Sequence, residues 1–169
     1  MASVFAQKQQ LPEIPFNWYK GKTSSLYKEH GIRDHNAIIL NAGRRSAFGG
    51  GEDKFLVYYR KGNVRKFVQN TEDWSVKEVD VSAQEQTTYI QFLNDCVGKN
   101  WLDIDTGKLR FSGNIIVLDG PSDYFTIYQD NKELIFYSNA SDSFIDSKVE
   151  GWEERQKLLE LIAKFNAVF

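Results

Sequence analysis

Cysteine occurs once and histidine twice in this chain, with one methionine and three prolines among 169 residues. A single cysteine excludes an intramolecular disulfide and a cysteine-rich zinc site. Two histidines leave little material for a histidine-based metal centre or catalytic triad. The apolar runs extend only a few residues, far short of the roughly 20 that cross a bilayer as a helix. Neither charge sign dominates: 21 Lys and Arg against 23 Asp and Glu give a net charge of −2. Without a broad basic field, nucleic acid is a poor partner.

Gly21-Lys22-Thr23 matches the tail of a phosphate-binding loop, but Phe16 stands where that pattern needs its first glycine. His30 and His35 sit beside Glu29 and Asp34, but five residues apart with Gly31 between them. That spacing misses the one-turn placement of helical metal ligands, and solvated loop residues explain it better. Asp103-Ile104-Asp105-Thr106-Gly107 has its glycine one position early for a calcium loop, and Asn114 occupies position twelve instead of glutamate. Cys96 falls on the apolar stripe of a helix, where a small core residue belongs. No catalytic residue, metal ligand or cofactor site is therefore assigned.

What the chain has in quantity is aromatic side chains: twelve Phe, eight Tyr and four Trp. Aromatics favour strands and carry large buried area, so a β-rich core follows. The pattern supports it. Asn36–Asn41, Lys54–Arg60, Asn63–Gln69, Trp74–Val81, Leu109–Phe111, Asn114–Asp119, Asp123–Gln129 and Glu133–Ser138 read as strands. Lys61-Gly62 and Asp130-Asn131 are hairpin turns. Leu11–Tyr19, with two prolines, reads as an extended arm.

Two helices stand out. Ser82-Ala83-Gln84-Glu85 matches a capping box, followed at helical spacing by Tyr89, Phe92, Leu93 and Cys96. Residues 150–166 carry a second stripe through Leu158, Leu161, Ile162 and Phe165. The expected fold is α+β: an antiparallel sheet of about seven or eight strands with helices over 83–97 and 150–166.

An offset of 69 residues sets Tyr59 on Tyr128, Phe67 on Phe136, Glu85 on Glu154 and Phe92 on Leu161. It divides a single domain over 11–169 into tandem hairpin–loop–helix halves, about 36–98 and 109–169. The run of strands before a Trp-containing terminal helix is also similar to the plan of pleckstrin-homology-type folds. That resemblance implies a barrel-like sheet closed by the last helix, and the Ser82–Val97 helix departs from it.

Residues 1–10 read as a signal-peptide remnant or a disordered N-terminus. Val4-Phe5-Ala6 before Gln7 resembles the cleavage end of a bacterial secretory signal peptide, which places the protein in the periplasm or outside the cell. A cytoplasmic chain with a frayed start is the alternative.

Two surfaces remain as binding candidates. Arg44 and Arg45, within a glycine-rich loop expected over Ala42–Asp53, offer two guanidinium groups to an anion. Alternation turns Phe55, Tyr59, Tyr124 and Tyr128 to one side of the sheet. If helices cover only the other side, these aromatics form a protein-docking face. If loops or the arm cover them, they are a second core layer. The reading that follows is a non-enzymatic, exported protein-binding domain of inhibitor or toxin-immunity type. A small-ligand or lipid-binding envelope module is the alternative, and a carboxylate-based hydrolase the second alternative.

Overall fold

The computed structural model describes residues 12–14, 19–20, 37–45, 51–60, 62–110, 121–129, 132–139 and 150–169. Alternating apolar residues set the strands. Six have four residues or more: β2 (Ala37–Arg45), β3 (Glu52–Tyr59), β4 (Val64–Asn70), β5 (Val76–Val79), β6 (Ser122–Gln129) and β7 (Lys132–Asn139). A two-residue ladder, β1 (Tyr19–Lys20), joins the edge beside β7. The order across the sheet is β1-β7-β6-β2-β3-β4-β5, antiparallel throughout. Among the described residues the two edge strands, β1 and β5, do not pair with each other, so these strands do not by themselves close into the barrel that the pleckstrin-homology-type plan implies.

Helix α1 (Ala83–Gly98) begins where the capping box demands. Ser82 Oγ accepts from the Glu85 amide at 3.2 Å, and Glu85 accepts from the Ser82 amide at 2.8 Å. Helix α3 (Trp152–Val168) lies two residues later than the 150–166 expectation, because Glu150 and Gly151 form a turn. A third, short helix, α2 (Thr106–Arg110), replaces the strand expected at Leu109–Phe111. Asp105 explains the difference: its Oδ1 accepts from the Gly107 amide at 2.9 Å and the Lys108 amide at 3.3 Å, starting a helical turn. Phe111 and the strand expected over Asn114–Asp119 lie outside the described residues.

One side of the sheet holds the helices. Ile38, Leu40, Leu56, Tyr58, Phe125, Ile127 and Phe136 meet Tyr89, Phe92, Leu93 and Cys96 of α1 and Leu158, Leu161 and Phe165 of α3. Phe165 is the junction, edge-on to Phe92 and Phe125 with ring centroids 5.8 and 5.7 Å away. The opposite side carries its own buried cluster of Ala37, Ile39, Phe55, Val57 and Phe67.

The two hairpins match the 69-residue offset in order but not in geometry. Leu56 and Phe125 occupy equivalent positions and face the same core, and both β3 and β6 run antiparallel to β2. Yet β4 lies on one side of this central strand and β7 on the other. A rotation that laid β3 on β6 would carry β4 onto the place of β2. The turns differ as well. Tyr59 and Asn63 close three residues around Gly62 at φ +89°, whereas Gln129 pairs with Lys132 across two. The extra residue turns Phe67 away from the helices, while Phe136 faces them. The offset therefore describes element order and not two superposable units.

Candidate functional site

Phe55, Tyr59, Tyr124 and Tyr128 do share the face away from the helices. Strand register brings them together: Ile39 pairs with both Val57 and Tyr128, and Asn41 pairs with both Phe55 and Thr126. The face is not open, however. Phe55 is 2% exposed and Tyr124 6%, with Tyr59 and Tyr128 half-buried. The four aromatics form an inner layer, the second of the two arrangements the alternation allows. Burial raises the Tyr128 phenol well above its ordinary value, with the neighbouring Glu133 carboxyl adding to it. Burial raises Glu133 in turn, opposed by its hydrogen bond to Tyr128.

Arg44 and Arg45 do not converge. Adjacent residues on a strand point to opposite faces, and each arginine has its own buried acid. On the helix side, Arg44 Nε lies 3.7 Å from Asp123 Oδ1. On the other, Arg45 Nη2 lies 3.7 Å from Asp53 Oδ2, and its guanidinium stacks 5.2 Å over the Tyr124 ring. Burial works against the Arg45 charge, but Tyr124 and Asp53 outweigh it and leave its pKa raised. The pair expected to clamp one anion is thus split by the sheet. The same split separates Asp53 from Asp123, so these two carboxylates cannot flank one scissile bond.

The structure brings forward a residue that alternation does not single out. Among the described residues, Trp74 and Tyr137 are the exposed large apolar side chains, at 55% and 41%. Both stand at the sheet end where β2 finishes, Trp74 on the β4–β5 turn and Tyr137 near the end of β7. Trp74 sits at φ +61°, a left-handed conformation uncommon for so bulky a side chain. The turn is tied down around it. Asn70 Oδ1 accepts from the Glu72 amide at 2.7 Å, and Asp73 Oδ1 accepts from the Ser75 amide at 2.9 Å. Gln69 Nε2 donates to the Trp74 carbonyl at 3.3 Å. Ser75 also holds the Asp73 carboxyl below its ordinary value through its hydroxyl and its amide. The sequence carried a signal here, since Asn70, Asp73 and Ser75 are turn-forming residues, but it could not say which way Trp74 points.

A groove of about 660 Å3 separates α1 from the last turns of α3. Phe92, Trp101, Ala167 and Val168 make its apolar surface, and Gln84, Thr88 and Lys164 its polar rim. Lys99 and Lys164 each lie over the Trp101 ring, at 5.4 and 5.0 Å. Cys96 is buried beneath α1, and burial, with Asp95 nearby, pushes its thiol up to about 12.

His30, His35, Gly21-Lys22-Thr23 and Asn114 lie outside the described residues. Among the described residues no three His, Cys, Asp or Glu gather as a metal site. No helix among them is long and apolar enough to cross a membrane. No protein-family model matches the chain, and no curated protein matches it either.

Proposed function

We propose that this domain binds another protein, as an inhibitor or a toxin-immunity protein does, and docks through the turn that presents Trp74. The observation that carries this reading is the left-handed, solvent-facing tryptophan on a turn pinned by its neighbours. An ordered aromatic costs little entropy to dock, so it suits the centre of an interface. Glu72 and Asp73 beside it are exposed, which favours a partner pocket that is apolar at its floor and basic at its rim. The exported setting expected from Val4-Phe5-Ala6 belongs to the same reading.

Immobilised wild-type chain and its Trp74→Ala variant, offered extract and culture fluid of the source cells, test it. A partner held in stoichiometric amount by wild type and lost from the variant supports the reading. Equal retention by both would remove Trp74 from any interface.

The groove between α1 and α3 favours a second reading, a module for a small amphipathic ligand or lipid. Its volume lies within the usual range for small-molecule sites. Native mass spectrometry of protein purified without detergent, with an Ala167→Trp variant that fills the groove as control, decides this. A co-purifying mass present only in wild type is expected.

A further inference from the structure

The helix side of the sheet leaves a recess of about 380 Å3 where β2 ends beneath α3. Four charged side chains line its strand wall: Arg44, Glu52, Lys54 and Asp123. The helix wall is mainly apolar, with Leu159, Ile162 and Ala163 facing the same space. The recess is built rather than incidental. Pairing of β2 with β6 sets Arg44 directly opposite Asp123, and the Asp123 carboxylate is 3% exposed. Lys54 Nζ donates to Asn166 Oδ1 at 2.7 Å and ties the strand to the helix at the margin.

We infer that this recess binds a small zwitterion: one ammonium and one carboxylate on a short apolar skeleton, the chemistry of an α-amino acid. The charges decide the class. Two cations and two carboxylates cancel, so a simple anion that meets Arg44 and Lys54 also meets Asp123 and Glu52. A simple cation suffers the converse. A zwitterion turns its ammonium to Asp123 and Glu52 and its carboxylate to Arg44 and Lys54, with its side chain on Leu159 and Ile162. Strand pairing fixes the Arg44 and Asp123 backbones before the ligand arrives, which lowers the ordering cost of binding.

Calorimetric titration of the full chain with L-leucine, isocaproate and isopentylamine tests the inference. Isocaproate lacks the ammonium, and isopentylamine lacks the carboxylate. Leucine should bind with millimolar affinity or better, and each single-charge analogue at least about tenfold more weakly. Arg44→Met and Asp123→Asn should each cost about tenfold or more. Because Asp123 is buried, its variant can fail through misfolding. Ala163→Phe changes an exposed helix position and fills the recess, so it should abolish binding while the melting transition stays in place. Absence of leucine heat at millimolar concentration overturns the inference. So does equal binding of either analogue, or leucine binding that survives Ala163→Phe. Trp74→Ala should leave leucine affinity unchanged, which keeps this test separate from that of protein docking.

Discussion

The Tyr124 hydroxyl donates to the Asp53 carboxylate across an intervening strand, passing over Gly43. Tyr124 belongs to β6 and Asp53 to β3, and β2 lies between them. Only the missing side chain of Gly43 leaves the path open. A Cβ there would stand 2.6 Å from Tyr124 Cζ and 2.8 Å from Asp53 Oδ1. Burial, then the bond to Asp53, raises the phenol far above its ordinary value, so Tyr124 is the donor throughout the physiological range.

Tyr124→Phe deletes the donor and leaves a buried carboxylate with less compensation. Urea unfolding should show a loss of about 1–3 kcal/mol. Gly43→Ala should cost a similar amount by overpacking. Because both act on one contact, Gly43→Ala should cost less on a Tyr124→Ala background than in the wild-type chain. Full additivity would refute the bridge.

Trp74→Gly separates folding from recognition. Glycine adopts φ +61° without the steric penalty, which is about 1–2 kcal/mol for other residues. Offset by the greater freedom of glycine in the unfolded chain, the variant should unfold with equal stability or up to about 1 kcal/mol more. It should also lose the partner that wild type holds. A marked drop in stability would show that Trp74 packs for the fold instead.

The α1 cap makes stability depend on acid. Hydrogen bonds from the Ser82 amide and hydroxyl hold the Glu85 carboxyl below its ordinary 4.5. The folded chain therefore gives up this proton at lower pH than the unfolded chain does. The contribution is complete above 4.5 and fades as pH falls through the depressed value. Melting temperatures of wild type and Glu85→Gln should differ most near neutrality and converge in acid. Ser82→Ala, measured near neutrality, should cost about 1 kcal/mol.

Cys96 should be silent in the native state. Its thiol, buried under α1 and raised to about 12, resists alkylation at mildly alkaline pH. Iodoacetamide should leave the folded chain unmodified and label it once in denaturant. Fast native labelling would place Cys96 nearer the surface than its packing against Phe92 and Tyr58 allows.

Much of the architecture was legible because its signals are local. Ser82 and Glu85 define the start of α1 from within four residues, and Leu158, Leu161 and Phe165 mark the buried stripe of α3 through helical period alone. Alternation likewise put Phe55, Tyr59, Tyr124 and Tyr128 on one face. The strand expected at Leu109 failed for a local reason too, since a single Asp105 cap outweighs a short apolar run.

The candidate sites were less legible. Arg44 and Arg45 are neighbours in sequence, yet each is assigned its partner by a different strand: Asp123 of β6 for one and Asp53 of β3 for the other.

The amino-acid sequence by itself determined which segments become helix or strand and which side chains share a face, because period and capping act over a few residues. Only the tertiary structure decided that β4 and β7 lie on opposite sides of β2, that the aromatic face is covered, and that Trp74 stands in solvent. Those outcomes depend on which distant strands pair and on the burial that pairing produces. Contacts between residues far apart in the chain set them, and no local pattern records such contacts.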